Sequence, residues 1–242
     1  MKILIYSDLH LELASFEPPD IPVDLVVLAG DIGKGEKAIK WINDTFDCDV
    51  VYVAGNHEFY GGNIDRTLVK MKNAAAEHVH LLENESFFYK GIRFLGSTCW
   101  TDFSSTGNLK AATYDASEGM NDFKKIRVGE RYRRLRPEDV RKKNHIAYEW
   151  LASELTGEFF GKTVVVSHHA PLLAMLDFKH KAHLSAAYAN DWPELVSLAD
   201  VWVFGHTHWA MNTRMLGCHL ISNPKGYPSE PTDFNAGLLI EL

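Results

Sequence analysis

Cysteine is scarce in this 242-residue chain: Cys48, Cys99 and Cys218 are the three present, an odd number with neither a close pair nor a thiolate-site spacing. That argues against a disulfide framework and leads us to expect a reducing compartment. Long apolar runs are missing as well, and none approaches the roughly 20 residues of a membrane-spanning helix. Lys2-Ile3-Leu4-Ile5-Tyr6 runs straight into Asp8 and His10, where a signal peptide would need a longer apolar region and a small-residue cleavage site. A cytoplasmic protein without a membrane span is the expectation. No internal repeat is evident, and positive charge is in deficit, with 25 Lys and Arg against 32 Asp and Glu for a net charge of −7. That balance disfavours a general nucleic-acid or anionic-membrane binder, and no nucleic-acid module is expected. The glycine-rich stretch Gly30-Asp31-Ile32-Gly33-Lys34-Gly35 lacks the Lys-Ser/Thr pair of a phosphate-cradling P-loop, because Glu36-Lys37 follows. Nothing in the sequence sets the oligomeric state.

What is present is an alternation. Apolar runs of strand length occur at 3–6, 25–29, 50–54, 92–95, 164–166, 201–204 and 238–240. Because they are apolar at nearly every position, they suit strands covered on both faces. Helix-like stretches at 36–46, 64–77, 137–155 and 192–198 lie among them, and Pro137 is placed like a first-turn proline. The pattern predicts a layered α/β fold, and the length fits a single domain spanning 1–242.

Five polar segments sit just beyond apolar runs: Asp8-Leu9-His10, Gly30-Asp31, Gly55-Asn56-His57-Glu58, Ser167-His168-His169 and Gly205-His206-Thr207-His208. A single Asp or His in such a place is more often a cap or a satisfied polar group. In open α/β sheets, however, ligands bind beyond the carboxyl ends of the strands, so five such segments predict one convergent site. Asp8, His10, Asp31, Asn56, His168, His206 and His208 offer oxygen and imidazole donors without thiolate. That set suits Mn, Fe, Zn or Co rather than Ca, and seven donors suit two ions sharing one carboxylate.

Taken in this order, the five segments resemble the calcineurin-like metallophosphoesterases, and the resemblance runs from near the start to residue 208. It implies a four-layer α/β sandwich, with two mixed β-sheets packed face to face and flanked by helices. It implies two divalent or trivalent metal ions, with Mn, Fe or Zn favoured by the donor set. Asp8, His10 and His208 would hold one ion, Asn56, His168 and His206 the other, and Asp31 would bridge them. His57 would not ligate; it would stabilise developing charge and protonate the leaving oxygen. Glu58 would orient neighbouring histidines. A hydroxide held by both metals would attack a phosphomonoester or phosphodiester without a covalent enzyme intermediate. The alternative, a non-enzymatic metal-binding interaction module on the same fold, belongs to relatives that have lost ligands, and here none is missing. The acidic or polar residue that often follows Gly-Asp in the family is replaced by Ile32-Gly33-Lys34-Gly35, which affects the loop more than the bridge.

Other features are less specific. His168 is favoured over His169 as the ligand, with His169 left to face substrate or to pack. Asn223-Pro224-Lys225-Gly226 reads as a turn in which Lys225 is a candidate phosphate contact. His180 and His183 read as surface loop residues, and His145 as structural. Between about 101 and 136 the strand pattern lapses, predicting an insertion or lid bracketed by packing residues including Trp100, Phe103, Asp122 and Phe123. Residues 124–143 hold ten Lys or Arg against three acids, which leaves the rest of the chain at −14. The segment reads first as a solvated face, with a cationic flap for an anionic substrate as the sharper alternative.

Overall fold

The computed structural model describes residues 1–177 and 182–242, so the expectation for His180 lies outside the described residues. The first half of the chain runs β1 (Lys2–Tyr6), β2 (Leu25–Ala29), α1 (Glu36–Thr45), β3 (Asp49–Val53), α2 (Ile64–Ala74), β4 (Val79–Leu81), β5 (Glu85–Tyr89) and β6 (Ile92–Ser97). Next come α3 (Leu109–Gly119), α4 (Asp122–Lys125), β7 (Arg127–Val128), β8 (Arg133–Arg134) and α5 (Pro137–Thr156). The chain then continues through β9 (Lys162–Ser167), α6 (Pro193–Val196), β10 (Val201–Phe204), β11 (Met211–Met215), β12 (Cys218–Ser222) and β13 (Leu239–Glu241).

Two large mixed sheets form. One has the order β13-β1-β2-β3-β4, the other β11-β12-β10-β9-β6-β5. In each the central strands are parallel and an antiparallel strand closes an edge. Alternation along the strands explains their continuous hydrophobicity. Ile3, Ile5, Val27, Val51 and Val53 meet Phe94, Val164, Val166, Val203 and Ile221 between the sheets. From the same strands, Leu4, Tyr6, Leu28 and Tyr52 face outward onto Ile39 and Ile42 of α1 and Met71 of α2. Across the molecule, Leu95, Val165, Trp202 and Leu220 pack on Ala147, Leu151 and Leu155 of α5. Helix, sheet, sheet and helix layers follow directly from this two-sided burial, giving the expected four-layer fold.

Register brings the strand ends together. Tyr6 pairs with Leu28 and Ala29 with Val53 in the first sheet, while Val166 pairs with Val203 in the second. The loops after β1, β2, β3, β9 and β10 therefore open on the same side. In the two large sheets the apolar pattern does not mark β4, β5, β11 or β12. Edge strands β5 and β11 expose much of their length, so they carry little hydrophobic signal, and His219 interrupts the otherwise buried β12. Residues 101–136 also hold more regular structure than the pattern suggested: helices α3 and α4 and the small β7–β8 hairpin.

Candidate metal centre

Asp8, His10, Asp31, His206 and His208 all adopt left-handed backbone conformations, with φ between 46° and 67°. Such residues cost of order 1–3 kcal/mol each and persist only where the surroundings over-determine them. Here the loops hold one another: Asp8 N–H donates to Gly30 O at 2.9 Å, His10 N–H to Asp31 O at 3.0 Å, and His206 N–H to Asp8 Oδ1 at 3.0 Å. Gly30 and Gly55 pass so close to His168 and Asp31 that a Cβ at either position would collide with those side chains. Glu58, buried at 1% exposure, fastens the loops from beneath. It accepts from the backbone N–H of Asp31, Ile32, Gly33 and Gly55 and from the Tyr52 hydroxyl, at 2.6–3.2 Å. Among the described residues none of its hydrogen bonds goes to a histidine. It orients the Asp31 loop rather than the imidazoles expected from the sequence, because it points into the turn between β2 and α1.

Among the described residues three groups of side chains converge closely enough to hold a cation: His10, Glu12 and His57, which shares His10 with the next, and the two made up wholly of expected ligands, Asp8, His10 and His208, and Asp31, His168 and His206. Asp31 lies between these last two. Its Oδ2 is 3.9 Å from His10 Nε2, and its Oδ1 is 3.5 Å from His168 Nε2. Asn56 completes the second group, with Oδ1 at 3.0 Å from His168 Nε2.

The hydrogen bonding tests whether these donors fit metal ions. His168 Nδ1–H donates to Ala29 O at 2.9 Å, which leaves Nε2 with its lone pair facing Asn56 Oδ1. Burial pushes the His168 pKa down to about 4, so a second proton does not resolve this meeting of two acceptors. In the other group, His10 Nε2 and His208 Nε2 approach to 3.0 Å, and burial lowers the His10 pKa. Burial also opposes charge on His208, but Asp8 and Glu230 outweigh it and lift the pKa to about 10. Burial raises Asp31 well above the ordinary carboxylate range, with Glu58 and Asp8 adding to the effect. The facing lone pairs of His168 and Asn56, and a carboxylate that is costly to ionise alone, are what a cation would stabilise. The donor set fits.

His57 stands at the edge of both groups. Its Nδ1 is 2.7 Å from Glu12 Oε1, and its Nε2 is 3.3 Å from the Tyr227 hydroxyl and 3.9 Å from Asp31 Oδ2. It lines a cavity of about 240 Å³ together with Tyr60, Tyr188 and Tyr227.

The sequence matches the calcineurin-like phosphoesterase family over residues 1–210. The chain belongs to that family. A relative from Acanthamoeba polyphaga mimivirus, itself uncharacterised, is 27% identical across the whole of this chain and 97% of its own length. Among solved structures, the phosphopantetheinyl hydrolase of Mycobacterium tuberculosis superposes with a TM-score of 0.66 at 19% identity, covering 94% of this chain and 90% of that one. A putative 5'-nucleotidase of Staphylococcus aureus gives 0.51 at 14% identity, covering 92% of this chain and 48% of its own. At these identities the structural likenesses concern the fold.

Other candidates in this calcineurin-like phosphoesterase lie outside the metal groups. His169 is buried, meets Thr98 O through Nδ1 at 3.1 Å and packs on Trp100 and on His206, whose ring centroid is 4.4 Å away, so it stands beside the second group rather than within it. Lys225 donates to Leu9 O at 3.3 Å and is not in the cavity lining. Three acidic partners went unread in the sequence: Glu12 on His57, Glu230 on His208 Nδ1 at 2.6 Å, and Asp122 on Asn56 Nδ2 at 2.8 Å. Glu12 had one available signal, since it stands two residues beyond His10, on the same alternation as Asp8 and His10. The basic segment does not itself line the cavity, although Lys125 Nζ lies 4.9 Å from the ring centroid of the lining residue Tyr60. Among the described residues the lining carries no Lys or Arg, only acids, histidines, tyrosines and neutral groups.

Proposed function

We propose that this chain is a metal-dependent phosphoesterase working with two ions, one at Asp8, His10 and His208 and one at Asn56, His168 and His206, with Asp31 shared. The observation that carries the reading is the placement of Asp31, one oxygen directed to each histidine group, beside the meeting of two acceptors at His168 Nε2 and Asn56 Oδ1. When bound, such ions polarise a phosphoryl oxygen and supply a strongly nucleophilic water at neutral pH. Mn, Fe or Zn suits the oxygen and imidazole donors.

The chain's own residues account for the rest of the chemistry. Glu12 accepts from His57 Nδ1–H, so that Nε2 faces the cavity, where the ring in its doubly protonated form can pass the Nε2 proton to a departing alkoxide and return to neutral. Asp31 Oδ1 accepts the His57 backbone N–H at 2.8 Å, which ties the proton donor to the shared carboxylate. The cavity suits a phosphomonoester or phosphodiester whose organic part packs against Tyr60, Tyr188 and Tyr227. The pairing of His57 with Glu12 favours this enzymatic reading over a metal-binding interaction module, which would need no oriented proton donor.

Hydrolysis of bis-p-nitrophenyl phosphate and of p-nitrophenyl phosphate by Mn²⁺-reconstituted protein, with His57→Ala as control, tests the proposal. Turnover of either ester that falls in His57→Ala is expected, and the preferred ester separates diesterase from monoesterase. Metal-loaded protein inert towards both, and towards a panel of natural phosphoesters, would favour the interaction module.

A further inference from the structure

Asn56 can point its amide in two ways, and only one of them suits a cation. As it stands, Nδ2 donates to Asp122 Oδ1 at 2.8 Å and, at the longer distance of 3.1 Å, to the adjacent Tyr60 hydroxyl. The Tyr60 hydroxyl in turn donates to the same Asp122 oxygen at 2.7 Å. Oδ1 is thereby left facing the bare Nε2 of His168 at 3.0 Å. Turned by 180°, the amide would donate Nδ2–H to His168 Nε2. That bond would satisfy both groups without any metal and would fill the second site with a neutral hydrogen bond.

Asp122 opposes that turn. In the flipped amide Oδ1 would confront the Asp122 carboxylate at the distance Nδ2 now occupies, two acceptors in a place where Asp122 is 4% exposed. A buried acceptor left without a donor costs about 1–3 kcal/mol, and more when charged. Asp122 comes from α4 in the region between β6 and α5, 66 residues from Asn56. Its side chain reaches Asn56 and Tyr60 beside the cavity rather than serving as hinge packing.

We propose that Asp122 is a positioning residue for the second metal ion: it locks the Asn56 amide with oxygen inward and so excludes the competing Asn56–His168 hydrogen bond. This rests on the two-ion reading above. It also makes 101–136 a structural part of the metal centre, in addition to any part in covering it.

Equilibrium dialysis of the metal-stripped full chain against Mn²⁺, with bound metal counted by mass spectrometry, tests the lock without recourse to activity. The wild-type protein is expected to take two ions. Asp122→Ala should keep the first and bind the second roughly 10- to 100-fold more weakly, the usual effect of losing a residue that orients a ligand. Asp122→Ala combined with Asn56→Asp should recover the second ion, because a carboxylate has no donor to turn towards His168. Should Asp122→Ala not fold, Asp122→Asn substitutes for it: its amide can donate to a flipped Asn56, and an intermediate weakening is expected. Wild-type affinity for both ions in the Asp122 variants overturns the lock and leaves the two-ion reading standing. A second ion lost in Asp122→Ala and not recovered in the double variant also overturns it, since that outcome marks a packing role. Wild-type protein that never takes a second ion overturns both.

Discussion

Glu12 Oε1 lies 2.7 Å from His57 Nδ1, and this pairing aims the opposite ring nitrogen at the cavity. Burial disfavours a charged Glu12, yet the nearby His10 ring and the hydrogen bond with His57 hold its pKa below the usual carboxylate range, so it meets the His57 ring as an anion. Glu12→Ala should lower kcat roughly 10- to 100-fold, in line with the loss of other groups that orient a functional histidine. Glu12→Gln, whose amide oxygen can still accept from Nδ1, should lose less. Steady-state kinetics on a p-nitrophenyl ester reads this directly, and an unchanged kcat in Glu12→Ala would remove the ring-orienting role.

Glu58 supports the site from below. Glu58→Ala strands four backbone N–H groups and the Tyr52 hydroxyl in a buried setting. Each orphaned donor costs about 1–3 kcal/mol, so thermal unfolding should show a large loss of stability or failure to fold. Glu58→Gln, which keeps both acceptor direction and volume at one oxygen, should be intermediate. A melting temperature within a degree or two of wild type in Glu58→Ala would contradict the clamp.

Gly55→Ala tests the closeness of the loops. The new Cβ would collide with Asp31 and lie 2.7 Å from His168 Cε1. Metal binding should fall sharply, more than unfolding temperature does, because the clash centres on the shared carboxylate. Wild-type metal affinity in this variant would show that the loops can part at little cost.

The sequence and the structure agree where chemistry is written locally. Asp8, Asp31, Asn56, His168 and His206 could be read because each directly follows a strand whose unbroken hydrophobicity marks burial on both faces, and parallel register then does the converging. Asp122 and Glu230 could not, since their roles depend on partners 66 and 22 residues away that no short pattern specifies. Glu58 was assigned to the right neighbourhood but the wrong partners, because a sequence shows that a carboxylate is near and not which donors surround it. The edge strands β5 and β11 were missed for a simpler reason: exposed strands need not be apolar.

The basic stretch from 124 to 143 offers a contrasting prediction. Arg133 is engaged by Asp139 at 2.6 Å, Lys143 by Asp65 at 2.8 Å, and Lys124 by Glu118 O at 2.9 Å. None of the stretch lines the cavity. Neutralising Arg131 and Arg134 to Gln should therefore leave kcat/KM for a small ester within about twofold at low salt, where exposed charges act most strongly. A larger rise in KM would restore the cationic-flap reading.

The Arg133–Asp139 pair also has a pH signature. Hydrogen bonds from Arg133 hold Asp139 below its ordinary range. Because the folded pKa is depressed, the pair's contribution is present above the unfolded value near 4 and fades as pH falls through the folded one. It is partly exposed, so the effect should be small. Asp139→Asn should reduce stability slightly at pH 7 and flatten that part of the acid limb in denaturant titrations. An unaltered acid limb would mean that the pair contributes nothing measurable.

The most direct test of the account is to strip the protein with EDTA, return Mn²⁺ stepwise, and follow bound ions and bis-p-nitrophenyl phosphate turnover in the same samples. We expect no turnover in stripped protein, two ions bound at saturation, and activity that rises with occupancy of the second. Full turnover in metal-free protein, or activity complete with one ion bound, would contradict the two-ion centre built on Asp31.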